Sequence, residues 1–476
     1  MRKHKRKQFF PYSLPYPGNL SFPDKFIWGV STSDRQITEN IDRGLSIWDA
    51  FAMISGKIEG GYDPRITCEH MRYYKEDVAL MKQLGAGAYR LSIAWPRWQS
   101  EGLGQPNQSG IDFYDRLIDQ LCRLGIDPWI TLFHWDLPLE LECLGGWQNR
   151  DTAKRFADYV FSVVSKLGDR VKHWMTLNEP NIFAFQGYLS GEFAPGKHGA
   201  WLAAFRAVHH LLLAHGMGMQ VIRQASSDAK VGIVVKMLPV ETLSYSPLAH
   251  ASAHLWRMLG TSWFLDPLLR GSYPLPVRGI YDAMSAINRL GRHSPVVRAG
   301  DMEIICPKKR MDFLGIDYYF RQVINFLGQW RMHVPGSQHT AMGWEICAAA
   351  LARGLIRLKE EYGELLPIVY ITENGMASDD VLVNGQVNDQ QRIDYLIDHL
   401  IAVLQAIAAG VDVGGYFVWS LIRNWEWPKG LLKDFGIVYV DFKSPERTRT
   451  PKSSFYVYQD VIRGNGLIYV PLSMCR

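Results

Sequence analysis

Apolar residues along this chain fall into two alternating kinds of run. Short stretches rich in β-branched and aromatic residues have the near-continuous hydrophobicity of strands buried on both faces. They are FIWGVST from Phe26, AYRLSIAW from Ala88, PWITLFHW from Pro128, VKHWMTLNEP from Val171, VGIVVKM from Val231, FLGIDYYF from Phe313, PIVYITENG from Pro367 and GYFVWSL from Gly415. Stretches with helical spacing separate most of them, as at 73–85, 112–125 and 151–168, each closing on a glycine of the kind a helix C-terminus prefers. Eight such alternations predict an α/β fold, a single closed (β/α)8 TIM barrel with helices outside. A doubly wound open sheet is the rival. It wants a glycine-rich phosphate loop after an early strand, and GVSTSDRQ is not one. The connections after the fifth and sixth strands, roughly 75 and about 45 residues, are too long for bare loops and are expected to hold helices and a hairpin.

A barrel of this kind gathers functional side chains at the C-terminal ends of its strands. Those ends bear Gln36, Arg90, His134 with Trp135, Asn178 with Glu179, Asp317 with Tyr319, Glu373, and Trp419. Any one of them could stand at a strand end by chance. Converging polar groups cost desolvation energy, so their presence at nearly every end points to a polar cleft with aromatic walls beneath extended loops.

Composition narrows the picture. Across 476 residues, 47% hydrophobic and 21% charged positions describe a globular chain with an ample core. The net charge of +5 comes largely from the opening MRKHKRK. Without it no basic footprint for nucleic acid remains. Residues 1–20 are read as a basic, solvated arm in preference to a targeting signal, because prolines interrupt any apolar stretch behind the charges. Residues 21–476 are read as one catalytic domain. No apolar run is long enough to span a bilayer. The six scattered cysteines lack metal-ligand or redox spacing, so reduced, mostly buried thiols in a cytoplasmic protein are expected, with no metal and no cofactor.

Glu179 and Glu373 end the fourth and seventh strands, on different sides of the barrel mouth. Two carboxyl groups facing each other across a cleft are what glycoside hydrolysis requires, one neutral to protonate a leaving oxygen and one charged to attack. Arg90 suits the charged partner, since a nearby guanidinium favours a carboxylate. A lone glutamate after a strand is more often a helix-terminal charge; the pair, each beside an asparagine (Asn178 and Asn374), reverses that expectation.

These residues resemble glycoside hydrolase family 1, the retaining β-glucosidases and relatives. MTLNEPN is similar to that family's acid/base signature and YITENG to its nucleophile signature. The likeness runs from FPDKFIWGVSTS to FGIVYVDF, through SIWDAF, YRLSIAWPR, TLFHWDLP, WFLDPLLRGSYP, TAMGWE and GYFVWSLIRNWEW. It implies a (β/α)8 barrel, Glu373 as nucleophile supported by Arg90 and Tyr319, Glu179 as acid/base, and Asn178 as partner of the sugar 2-hydroxyl. It further implies that Gln36, His134, Glu426 and Trp427 meet the glycone hydroxyls and that Trp419 packs on the sugar's apolar face. Trp135 and Phe435 would finish the wall, and Trp344 would be the aglycone platform. Trp98 and Trp201 are read as core. Glu426 stands where relatives acting on 6-phosphosugars have serine, which favours plain glucosides. The implied substrate is a small β-glycoside or oligosaccharide; oligomeric state is left open.

The chain departs from that pattern in places. Arg35 and its neighbours in RQITEN replace the usual Tyr-Gln-Ile-Glu-Gly, Asp317 replaces an asparagine, Arg423 stands where aspartate is common, and WEICAAA lacks a proline-glycine ending. A transglycosylating member and a non-catalytic sugar-binding barrel are the alternatives carried forward.

Overall fold

The structure is a computed structural model that describes residues 20–467 except 64, 243, 291–293 and 332–333. The basic tail and Cys475 lie outside the described residues. Eight strands form the barrel: β1 (Ile27–Ser31), β2 (Ala88–Ser92), β3 (Asp127–Phe133), β4 (His173–Asn178), β5 (Lys230–Lys236), β6 (Phe313–Tyr318), β7 (Ile368–Asn374) and β8 (Val413–Trp419). Each pairs in parallel with the next, and β8 returns to β1, so no edge is left open.

Alternation along the strands explains why one end of the barrel is greasy and the other polar. Below the mouth, Ala88, Trp129, Met175, Val234, Phe313 and Phe417 pack together as a separate apolar plug. The rings leave no space opposite: a Cβ on Gly29 would stand 2.3 Å from the Phe417 ring, so only glycine fits there. Two residues further along, the same inward face presents Arg90, Thr131 and Trp419.

Both strands that end in a candidate carboxylate bear a bulge. Between Met175 and Asn178, β4 advances three residues while β5 advances two. Between Ile371 and Glu373, β7 advances two residues against one in β6. An extra residue re-aims the side chains that follow it.

The long connections are structured. After β5 come a short strand (Val240–Thr242) and helices including Pro247–Arg257, Trp263–Leu269 and Leu275–Leu290. After β6, Gln322–Ile324 and Trp330–Arg331 form a hairpin that joins Val240–Thr242 in a small sheet, followed by the helix Ala348–Tyr362. Two of the three glycine stops behave as expected: Gly85 and Gly125 adopt left-handed backbone, with φ of 84° and 72°. Gly168 does not. Its φ is −68°, and glycine is required because a Cβ would lie 2.6 Å from the Val164 carbonyl oxygen.

Two expectations about individual side chains are corrected. Trp98 is core, but Trp201 is 48% exposed at the start of the helix Trp201–Ala225. Of the described cysteines, all free, Cys68 is fully buried whereas Cys122 and Cys143 are exposed. Helical spacing placed those two on outward faces. Among the described residues no helix is long and apolar enough to cross a membrane.

Candidate active site

Arg90 organises the floor of the cleft. Fully buried on β2, it donates from Nη1 to Glu373 Oε1 at 2.6 Å, from Nη2 to Asn178 Oδ1 at 2.6 Å, and from Nε to Thr131 Oγ1 at 3.2 Å. Tyr319 Oη donates to the other Glu373 oxygen at 2.7 Å. Both oxygens of this carboxyl therefore accept hydrogen bonds, which fix its orientation.

Glu179 follows β4 in left-handed backbone (φ 40°), its N–H donating to the Val234 carbonyl at 2.9 Å. Trp135 (φ 69°) and Trp427 (φ 48°) share that unusual conformation. Residues with side chains rarely hold it without surrounding structure to enforce it, and such strain clusters at functional sites. Burial, opposed by the Lys236 ammonium and reinforced by the Glu373 charge, pushes the Glu179 carboxyl up to about 7. One oxygen from each of Glu179, Asp317 and Glu373 lies within 4.8 Å of the others. As a cation site this trio is already served, since Arg90 stands 2.6 Å from Glu373 and 3.8 Å from Asp317.

Asp317, the departure at the end of β6, does face the cleft. It accepts from Thr372 Oγ1 at 2.6 Å, and one of its carboxyl oxygens lies within 4.8 Å of one on Glu179. Burial, then the Glu373 charge, lifts Asp317 well above the usual carboxylate range. Arg423, another charged departure, makes no hydrogen bond or ion pair with Asp317 among the described residues. Arg423 instead donates to the Leu431 carbonyl (2.8 Å) and stands 3.8 Å from Asp434.

The asparagines beside the two glutamates part company. Asn178 Nδ2 contacts His134 Nε2 at 3.1 Å and so belongs to the cleft. Asn374 turns away, held by Tyr318, Tyr395 and Tyr416. It braces β7 from behind. Gly375 continues that brace, because a Cβ there would fall 1.7 Å from the Trp419 carbonyl oxygen.

The remaining candidates converge. Gln36 Nε2 donates to Glu426 Oε2 at 3.1 Å and to the Trp425 carbonyl at 2.9 Å. Trp135 Nε1 donates to the Asn178 carbonyl at 2.9 Å. The His134 ring lies nearly parallel to both Trp419 and Trp427, with centroids 6.0 and 6.1 Å away. Burial, then the Arg90 charge, holds its imidazole well below the usual histidine range, hence neutral. Burial and Glu373 push Glu426 up to about 8. Trp344 and Phe435 lie 6.0 Å apart, and each packs on Tyr319. Gln36 Oε1, His134 Nδ1, Glu179 Oε1 and Asp317 Oδ2 are buried without a hydrogen-bond partner among the described residues. Such atoms are costly unless a ligand meets them.

The altered first loop has its own support. Arg35 donates to Asp49 at 2.8 Å and lies 5.2 Å over the Trp425 ring, while Arg43 bridges Asp49 and Asp136. The loop bearing Trp344 is pinned through Glu345, which accepts two hydrogen bonds from Arg321. Sequence reading missed Lys236, at the one strand end to which it assigned nothing. Its signal was available: a lysine closing an otherwise apolar strand.

Comparison with known proteins agrees with this geometry. The chain is 41% identical over 455 residues to β-glucosidase A of Thermotoga maritima, covering 94% of this chain and 98% of that one. It is 42% identical over 460 residues to thermostable β-glucosidase B of Thermobispora bispora, covering 94% and 92%. The solved β-glucosidase from Thermotoga maritima in complex with deoxynojirimycin superposes with a TM-score of 0.87 at 40% identity, covering 94% of this chain and all of that one. Residues 19–467 match the glycosyl hydrolase family 1 profile, and the chain belongs to that family.

Proposed function

We propose that this enzyme hydrolyses terminal β-D-glucosides by double displacement, with Glu373 as nucleophile and Glu179 as acid and base. The observation that supports this most is the carboxyl pair itself. Its oxygens lie within 4.8 Å, near the roughly 5 Å separation of retaining glycosidases and short of the gap that would admit a water between them. The two environments also differ in the required sense. Glu373 has two strong donors, whereas burial keeps Glu179 protonated up to about pH 7.

In the first step the Glu373 carboxylate attacks the anomeric carbon, the glycosidic C–O bond breaks, and the Glu179 proton passes to the departing oxygen. The sugar remains as an ester on Glu373. In the second step Glu179, now a carboxylate, takes a proton from water, whose oxygen attacks the same carbon and releases Glu373. Two inversions give retention. Asn178 is placed to meet the 2-hydroxyl, while Gln36, His134, Glu426 and Trp427 serve the other hydroxyls and Trp419 the apolar face. Glu426 pushed up to about 8 enters as a neutral acid at pH 7, able both to donate to and to accept from sugar hydroxyls. Plain glucose, with galactose or fucose tolerated, fits that set better than a phosphorylated sugar. The exposed thiols of Cys122 and Cys143 support the cytoplasm as its compartment.

The test is mass spectrometry after incubation with an activated 2-fluoroglucoside. A covalent adduct on the peptide containing Glu373, absent from Glu373→Gln, is expected, together with loss of at least about 10³-fold in kcat. An adduct elsewhere, or full activity in the variant, would remove the assignment.

A further inference from the structure

Lys236 closes β5, and the mechanism above gives it no task. Its main chain is clamped by Asn181, whose Nδ2 donates to the Lys236 carbonyl at 2.9 Å and whose Oδ1 accepts from the Lys236 N–H at 3.3 Å. Asn181 lies just beyond Glu179 in sequence, so the lysine is tied to the segment bearing the proposed acid. The side chain runs into an aromatic corner. Nζ stands 4.7 Å from the Tyr319 ring centre, 5.2 Å from Trp344 and 5.5 Å from Phe320.

Only 9% of Lys236 is exposed, yet among the described residues no hydrogen bond or ion pair reaches its ammonium. Its field is felt at Glu179 and Glu426, but neither comes within ion-pair distance. Taking an ammonium out of water without a counter-ion is costly. Ring faces offset part of that cost through cation–π attraction. They leave the three N–H donors available, beside the tryptophan on which an aglycone would rest.

We infer that the subsite formed by Trp344, Phe320 and Lys236 selects β-glucosides whose aglycone carries a carboxylate, with Lys236 as its charge partner. This rests on the glucosidase reading above. The ring of an aromatic aglycone stacks on Trp344, and its carboxylate accepts hydrogen bonds from Nζ, with no change to the bonds made and broken at the anomeric carbon.

The test compares kcat/KM for the β-glucoside of 4-hydroxybenzoate with that for the β-glucoside of its methyl ester, which has a similar shape without the charge. Wild type, Lys236→Met and Lys236→Arg are assayed at a pH where the free acid is ionised. The acid-to-ester ratio is expected to fall by at least about tenfold in Lys236→Met, through KM, and to be largely restored in Lys236→Arg. An unchanged ratio overturns the inference. So does an equal loss on both substrates with a displaced alkaline limb, which would make Lys236 a positioning partner of Glu179 instead. Folded wild-type enzyme that cleaves neither compound overturns the glucosidase reading itself.

Discussion

Asp317 and Glu179 are buried with carboxyl oxygens within 4.8 Å of each other and both are raised above the usual carboxylate range, so their titrations are linked. As the proposed acid, Glu179 works only when protonated, so kcat/KM is expected to fall as pH rises through about 7. In wild type that limb should be broader than a single ionisation, since the charge that appears on one of the two neighbouring acids holds the proton on the other. Asp317→Asn removes one titrating site while keeping a polar group of nearly the same size beside Glu179. Its limb should follow a single ionisation, with activity on the acid side within about tenfold of wild type. Equal slopes in the two pH profiles would sink this account. Among single residues the sequence was informative about which groups converge: Glu179, Glu373, Arg90 and Asn178, read from strand ends, do meet in one cleft. Asn374 looked like Asn178 in sequence but serves the wall, since nothing in a residue's identity says which way it turns.

The short segment after β1 lost its familiar residues and acquired a charge lattice in their place. Arg35 and Arg43, each with 1% of its side chain exposed, share Asp49 and Asp136. Removing one acid leaves buried cations short of partners, which is worth more than any surface pair. Asp49→Ala is expected to lower stability by about 3–5 kcal/mol in chemical denaturation and to weaken sugar binding through neighbouring Gln36. A loss below about 1 kcal/mol would mean the lattice is redundant. Elements of this kind were half legible. Strand and helix periods gave the eightfold repeat, because burial on both faces of each strand leaves little choice of residue. The bulges in β4 and β7 were hidden, because an inserted residue in an apolar run does not disturb its composition.

For the molecule as a whole, the cleft lowers stability as pH rises. Glu179 and Glu426 are both raised in the folded state, to about 7 and about 8. The native protein therefore keeps protons that the unfolded chain has already released, and stability declines from near pH 4.5 up to those values. Glu426→Gln cannot ionise. Its unfolding free energy should equal that of wild type on the acid side and exceed it increasingly toward pH 8, by an amount on the order of a few kcal/mol at the plateau, with the melting temperature rising in step. A difference independent of pH, measured by thermal melts across the range, would contradict this. Such a gain at the expense of sugar binding is the usual relation between stability and a working site.

The inserted residues in β4 and β7 have a consequence for how such a protein can diverge. With β5 and β6 between them, these strands hold Glu179 and Glu373 at a distance dictated by the circumference of the closed sheet and one extra residue in each strand. The long excursions beyond β5 and β6 are free of that constraint. Descendants can rewrite the rim to admit different molecules while the wall goes on breaking the same bond.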